Sequence, residues 1–264
     1  MKVYVICDLE GTAGVVDHKG QCWFDGEYYQ QSRTIATQEL NSLVEGLLEG
    51  GADEIVAWDG HGNFPGGIDS SIVRSECKVV IGAGNGPPAG LDATFDALCL
   101  LGLHAMAGTP GAVLAHSFMP FVKNCWLNEL EIGEIGMNCA AAGQFGVPTV
   151  FISGDKAASK EAIALIPNIE CAVVKEGLHT HAAGLSQAAT LCLSAQRARD
   201  LIKQGGKTAF SKLDGIHTFR IMPPYTLRTE FTEEKYAEQE SSRPNATRIN
   251  ATTIEVSGND LLSM

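Results

Sequence analysis

The chain has 264 residues, 45% hydrophobic and 19% charged, a composition that suits a globular protein with a large core and excludes a disordered or fibrous one. Nineteen basic against thirty-one acidic residues give a formal net charge of −12, the wrong sign for neutralising phosphates, so no nucleic-acid partner is expected. No apolar stretch approaches the ~20 residues of a membrane span. The opening Met1–Cys7 is too short for a signal-peptide core, so no membrane association and a cytoplasmic location are expected. Cys7, Cys22, Cys77, Cys99, Cys125, Cys139, Cys171 and Cys192 form no CxxC pair and sit mostly among apolar neighbours, as thiols of a reducing compartment do.

Residues 2–7 (KVYVIC) are a β-prone run that breaks abruptly into the polar, glycine-containing DLEGTAG, which reads as a strand entering a loop. From Ile35 to Leu48, Ala36, Leu40, Leu43, Val44, Leu47 and Leu48 recur at helical spacing, and Gly50-Gly51 stop the helix. EIVAW (54–58), KVVIG (78–82) and ALCLLGL (97–103) are short apolar runs without strict alternation, the pattern of buried parallel strands, and VLAHS (113–117) and PTVFIS (148–153) extend the series. Helices are predicted at about 134–145, 156–166 and 186–203.

Alternating strands and helices predict an α/β fold, a three-layer domain around a mainly parallel sheet, over residues 1–207. Beyond Gly205 the alternation weakens. PPYTLRTEF (223–231) and ATTIEVSG (251–258) read as strands around a charged stretch, so 208–264 is taken as a smaller C-terminal α+β lobe, not an independent domain.

Ligands of open α/β sheets collect at the carboxyl ends of the strands. Asp8 and Glu10 follow the first strand, His61 follows the second in WDGHGN, His104 follows ALCLLGL, and His116 closes VLAHS. Taken singly, an aspartate after a strand usually caps a turn and a histidine near a core usually just finds a hydrogen-bond partner. Their shared placement points instead to a mixed oxygen and nitrogen metal site, suited to zinc and also to manganese or cobalt. A bridging carboxylate would allow two ions. Glu134, in ELEIGEIGMN, reads as the start of a helix, where a carboxylate also suits the helix dipole; spacing alone does not choose between it, Glu129 and Glu131.

The ordered set CDLEG, DGHGN, LGLHAMAGTPG, LAHS and GEIGMN resembles the zinc-dependent D-aminopeptidase family over roughly the first 200 residues. The resemblance implies two zinc ions per subunit, with Asp8 bridging, Glu10 and His104 completing one site, and His61 and Glu134 the other. It gives His116 the role of catalytic histidine, described as the nucleophile; chemically, general base or acid suits it equally well, because a metal-bound hydroxide is already a competent nucleophile. It further implies short peptides with an N-terminal D-residue such as D-alanine as substrates, and a large homo-oligomer, a decamer. His179 and His181, in HTHAAG, read as loop residues and not as a third metal site.

Three other readings compete. A nucleotide-binding module is suggested by KVVIGAGNG, but Pro87 and Pro88 make a poor phosphate-cradling helix entrance. A metal-dependent phosphoesterase would use similar ligands. A non-catalytic assembly protein would keep the fold alone.

Overall fold

The computed structural model describes residues 1–62, 64–82, 88–178 and 189–264. In chain order it forms β1 (Lys2–Cys7), α1 (Tyr29–Glu49), β2 (Glu54–Asp59), β3 (Cys77–Val80), β4 (Ala97–Leu103), β5 (Val122–Leu127), β6 (Leu130–Glu131) and α2 (Glu134–Gln144). These are followed by β7 (Thr149–Asp155), α3 (Lys156–Leu165), β8 (Glu170–Gly177), β9 (Thr190–Cys192) and α4 (Ala195–Ala209). The chain ends with β10 (Tyr225–Phe231), α5 (Glu234–Glu240), β11 (Ala246–Arg248) and β12 (Thr253–Gly258).

The main sheet has the order β3-β2-β1-β4-β7-β8-β9. Neighbours from β3 to β8 pair in parallel, and the edge strand β9 pairs antiparallel to β8. β4 and β7 are buried at every residue, which is why their sequences carry no polar alternation. From β1 the chain moves to β2 on one side, whereas from β4 it moves to β7 and β8 on the other. Right-handed crossovers therefore put α1 on one face and α2 and α3 on the opposite face. The expected three layers follow, and the reversal of direction creates a switch point between the carboxyl ends of β1 and β4.

α4 packs along α1. Its predicted start at residue 186 is wrong: Thr190–Cys192 form β9, and Ser194, whose hydroxyl accepts from the Arg197 amide, caps a helix beginning at Ala195. Gly205 and Gly206 lie within α4, where a Cβ would come within 2.5 Å of the Phe151 ring and 2.8 Å of Leu43 respectively. VLAHS is not a strand either. Leu114 and Phe118 have φ of 58° and 61°, outside the β region, and the Val113 amide is held by an Asp155 carboxylate oxygen at 2.8 Å instead of a strand ladder.

A second, antiparallel sheet has the order β11-β12-β10-β5-β6. Residues 208–264 supply β10, α5, β11 and β12, while β5 and β6 come from before α2. Val122, Cys125, Leu127, Tyr225, Phe231, Ile254 and Val256 form its core, with Ala140 of α2 packed among them. Among the described residues no helix is long and apolar enough to cross a membrane.

Candidate metal centre and active site

The switch point holds the predicted cluster. Asp8 and Glu10 leave β1 on a loop pressed backbone to backbone against the end of β4: the Gly11 amide donates to the Gly102 carbonyl at 2.7 Å, and a Cβ on Gly11 or Gly102 would come within 2.1 Å or 2.3 Å of the opposing backbone. Leu9, between the two acids, is buried with Val15, Cys22 and Tyr29 and anchors the loop from below. His61 lies two residues past β2, on a turn fixed by Asp59, whose carboxylate accepts from the amides of Gly67 and Ile68 at 2.8 and 3.0 Å. His104 directly follows β4, and only 1% of it is exposed. The amide of Met106, two residues on, donates at 2.8 Å to half-buried Glu161, whose carboxyl group desolvation pushes up to about 7.

Glu134 opens α2 and turns inward beside the cluster, whereas Glu129 and Glu131 are exposed around the β5–β6 hairpin. The Glu134 carboxylate also accepts from the Phe118 amide at 2.7 Å, tying it to the segment that carries His116. The His116 ring stacks on that of His104, centroid to centroid 3.8 Å.

The two oxygens of Asp8 face different histidines. Asp8 Oδ1 is 3.3 Å from His61 Nδ1, and Asp8 Oδ2 is 3.3 Å from His104 Nε2. Glu10 Oε2 lies 3.2 Å from His61 Nδ1, and Glu134 Oε1 lies 3.3 Å from His104 Nε2 and 3.8 Å from His116 Nε2. These contacts pair Glu10 with His61 and His104 with Glu134, the reverse of the division implied by the resemblance. Ligand atoms of Asp8, Glu10 and His104 nevertheless lie within 4.8 Å of one another, which accommodates the implied set as well.

Each imidazole commits its other nitrogen to a backbone carbonyl: His61 Nε2 donates to Cys22 at 2.6 Å, His104 Nδ1 to Ala105 at 3.1 Å and His116 Nδ1 to Leu114 at 2.9 Å. In the neutral ring this leaves a lone pair aimed at the carboxylates, an arrangement that is repulsive without a cation between them. Asp8 Oδ2, Glu10 Oε2 and His104 Nε2 are buried without a hydrogen-bond partner among the described residues. Zinc bonds of about 2.0–2.1 Å would set tetrahedral edges of about 3.3 Å. Observed separations of 3.2–3.3 Å fit such ligands, and the set present is carboxylate and imidazole with no thiolate.

Within the cluster the charged groups act on one another. Burial disfavours the charged forms of His61 and His104, but Glu10 beside the first and Glu134 beside the second outweigh it and raise both imidazoles well above their ordinary value. Burial likewise opposes ionisation of Glu10 and Glu134, yet the adjoining His61 and His104 hold both carboxyls below the usual range. His116 moves the other way: burial and then the neighbouring His104 lower it.

One residue beside the cluster was missed in the sequence. His18, on a short helical turn at His18–Cys22, places Nε2 3.2 Å from Glu10 Oε1 and meets the His116 ring edge to face. It follows no strand, so the strand-end criterion could not find it. His18 and His116 line a cleft of about 480 Å³ together with Thr109, Leu114 and Thr190. His179, His181 and residues 83–87 of the GAGNGPPAG loop lie outside the described residues.

Carboxylates and imidazoles gathered at the switch point of an open α/β sheet, beside a cleft, form the arrangement of a metallohydrolase. The family model described as D-aminopeptidase, peptidase M55, matches residues 1–264, beyond the first 200 that carry the sequence resemblance. A D-aminopeptidase of Bacillus subtilis (strain 168) is 31% identical over 271 residues, covering 99% of this chain and 93% of that protein. A solved structure, the zinc-dependent D-aminopeptidase DppA from Bacillus subtilis, described as a self-compartmentalizing protease, superposes with a TM-score of 0.89 at 29% identity over 100% of this chain and 93% of that one. The chain belongs to the D-aminopeptidase family, and it is a metallo-aminopeptidase. The phosphoesterase, nucleotide-binding and assembly-protein readings are not favoured.

Proposed function

We propose that this chain is a two-zinc aminopeptidase that removes an N-terminal residue, a D-amino acid such as D-alanine, from short peptides. Its ligands are Asp8, Glu10, His61, His104 and Glu134, with Asp8 shared between the ions. The observation that carries this reading is the division of Asp8, one oxygen facing His61 and the other His104, each at 3.3 Å. Two divalent ions would offset the three clustered carboxylates, and zinc is supported by the zinc-dependent Bacillus relative. Manganese or cobalt would suit the same oxygen and nitrogen set.

Asp8, Glu10, His61, His104 and Glu134 would hold zinc, which would supply Lewis acidity for the scissile carbonyl and lower the pKa of bound water towards neutrality. The chain's own residues do the rest. His116 Nδ1 is occupied by the Leu114 carbonyl, so Nε2 is the atom that takes and returns a proton. Its lowered pKa favours the neutral ring that can accept one. Burial of His104 and His61 excludes bulk water from the inner side of the centre, and the cleft of about 480 Å³ gives a short peptide its approach.

The relative described as self-compartmentalizing supports a homo-oligomer for this chain, with a decamer as the finer expectation. Trp23, Phe24 and Phe64, the last 83% exposed, are aromatic surface that subunit contacts would cover. The 208–264 lobe would not fold alone, because its sheet is completed by β5 and β6. A cytoplasmic site of action suits eight free cysteines.

The test is a panel of D- and L-aminoacyl dipeptides and a phosphoester, assayed beside zinc content. Turnover of D-alanyl peptides over the L-forms, with the phosphoester inert, is expected. Phosphoester turnover with every peptide inert would overturn the assignment.

A further inference from the structure

Lys175, on β8, is 2% exposed and lies far from any solvent-facing role. Its ammonium group donates to the carbonyls of Glu10, Thr12 and Val15, the Thr12 bond being 3.0 Å. All three belong to the loop that carries Asp8 and Glu10. Burying a lysine is costly, and a carboxylate partner is the usual compensation. Here, among the described residues, the hydrogen-bond partners are backbone carbonyls.

Three carbonyls converging on one point need three donors, which an ammonium group has and a neutral amine lacks. An apolar side chain in this place would take the donor from the buried Glu10 and Val15 carbonyls, while the Thr12 carbonyl would keep its bond from the Val15 amide at 3.2 Å. Other tethers of the loop come from other directions: the Ala13 amide donates to the buried carboxyl group of Glu39 on α1 at 3.0 Å, the Gly11 amide to Gly102 on β4 at 2.7 Å, and Gln21 Nε2 to the Gly14 carbonyl at 2.9 Å. Lys175 is the tether that acts on the backbone of Glu10 itself, so a shift of that carbonyl shifts the Glu10 carboxylate.

We propose that Lys175 is a positioning residue for the metal centre, a tethered cation whose ammonium group sits in a three-carbonyl cage and holds the 10–15 loop in the form that presents Glu10. The inference rests on Glu10 being a metal ligand. It makes Lys175 the equivalent of a bound monovalent cation supplied by the chain, and the cage emptied by Lys175→Ala becomes a site for a free alkylammonium ion.

The experiment compares the full-length wild type, Lys175→Ala and Lys175→Met. Amide hydrogen exchange over residues 11–16 is measured in the metal-free proteins, and zinc affinity by chelator competition, each with n-propylammonium chloride or with sodium chloride at equal ionic strength. In both variants faster exchange confined to this loop is expected, with zinc binding weaker by about 10- to 100-fold, as when a group orienting a ligand is lost. Propylammonium should restore both in Lys175→Ala. Lys175→Met, whose stem fills the space, should not respond, and sodium chloride should restore neither. Wild-type exchange and affinity in either variant, or accelerated exchange across the whole chain with no amine rescue, overturns the proposal. If the wild type binds no zinc while the loop exchange and its rescue behave as expected, the metal assignment fails and the clamp stands.

Discussion

Glu39 offers a test with a sign and a size. It is 0% exposed on α1, its Oε1 accepts from the Ala13 amide at 3.0 Å, and its Oε2 has no hydrogen-bond partner among the described residues. Burial pushes the carboxyl group from 4.5 up to about 7 against the opposing pull of Ala13 and Lys175. The folded protein therefore holds a proton at Glu39 that the unfolded chain releases. The stabilisation is complete below the unfolded value of 4.5 and is lost as the pH rises through about 7. That gap corresponds to about 3 kcal/mol. Glu39→Gln keeps the acceptor and the shape without the titration. The difference in unfolding free energy, variant minus wild type, should thus rise by about 2–3 kcal/mol between about pH 5 and about pH 8, and taking the difference cancels titrations shared by both proteins. Urea unfolding at matched protein concentration reads it. A difference that is flat with pH, or that falls, would refute the reasoning that Glu39 is buried in its neutral form.

Removing His116 separates its role from metal binding: His116→Ala should keep both metal equivalents and the fold while kcat falls by roughly a hundredfold or more, the scale of a lost acid/base group. Loss of one metal equivalent would make it a ligand, and near-wild-type turnover a bystander. A chelator should abolish activity and zinc, cobalt or manganese restore it; activity indifferent to exhaustive chelation would contradict a metal mechanism. Native thiol alkylation should inhibit little, since Cys7, Cys22, Cys99, Cys125 and Cys139 are buried and none of the thiols belongs to the cluster. Stoichiometric inactivation by alkylation of the folded enzyme would overturn that expectation.

The main sheet was legible because buried parallel strands are continuous apolar runs, and β1 and β4 end where their apolar character ends. The gathering of Asp8, Glu10, His61 and His104 was legible for the same reason, since the switch point collects whatever follows those strands. Glu134 was not separable from Glu129 and Glu131 by spacing, because the difference is a hairpin that exposes two of them and a helix start that buries the third side chain deeper. VLAHS misled because its apolar residues pack as a connection held by Asp155 and not by a ladder. β5 was hidden by Lys123 and Asn124, which interrupt its pattern, and its partner β10 lies about a hundred residues away. Lys175 could not be read at all: in ECAVVKEG it looks like a strand-end lysine, and its partners are main-chain carbonyls with no residue type to mark them.

The most direct test of the proposed centre is the metal content of purified wild type, Asp8→Ala and His179→Ala, measured by elemental analysis beside turnover of a D-alanyl peptide. Two zinc equivalents and full turnover are expected in the wild type and in His179→Ala, and almost no metal and no turnover in Asp8→Ala. Full metal occupancy in Asp8→Ala would contradict the account, because the residue on which both ions are proposed to depend would then hold neither.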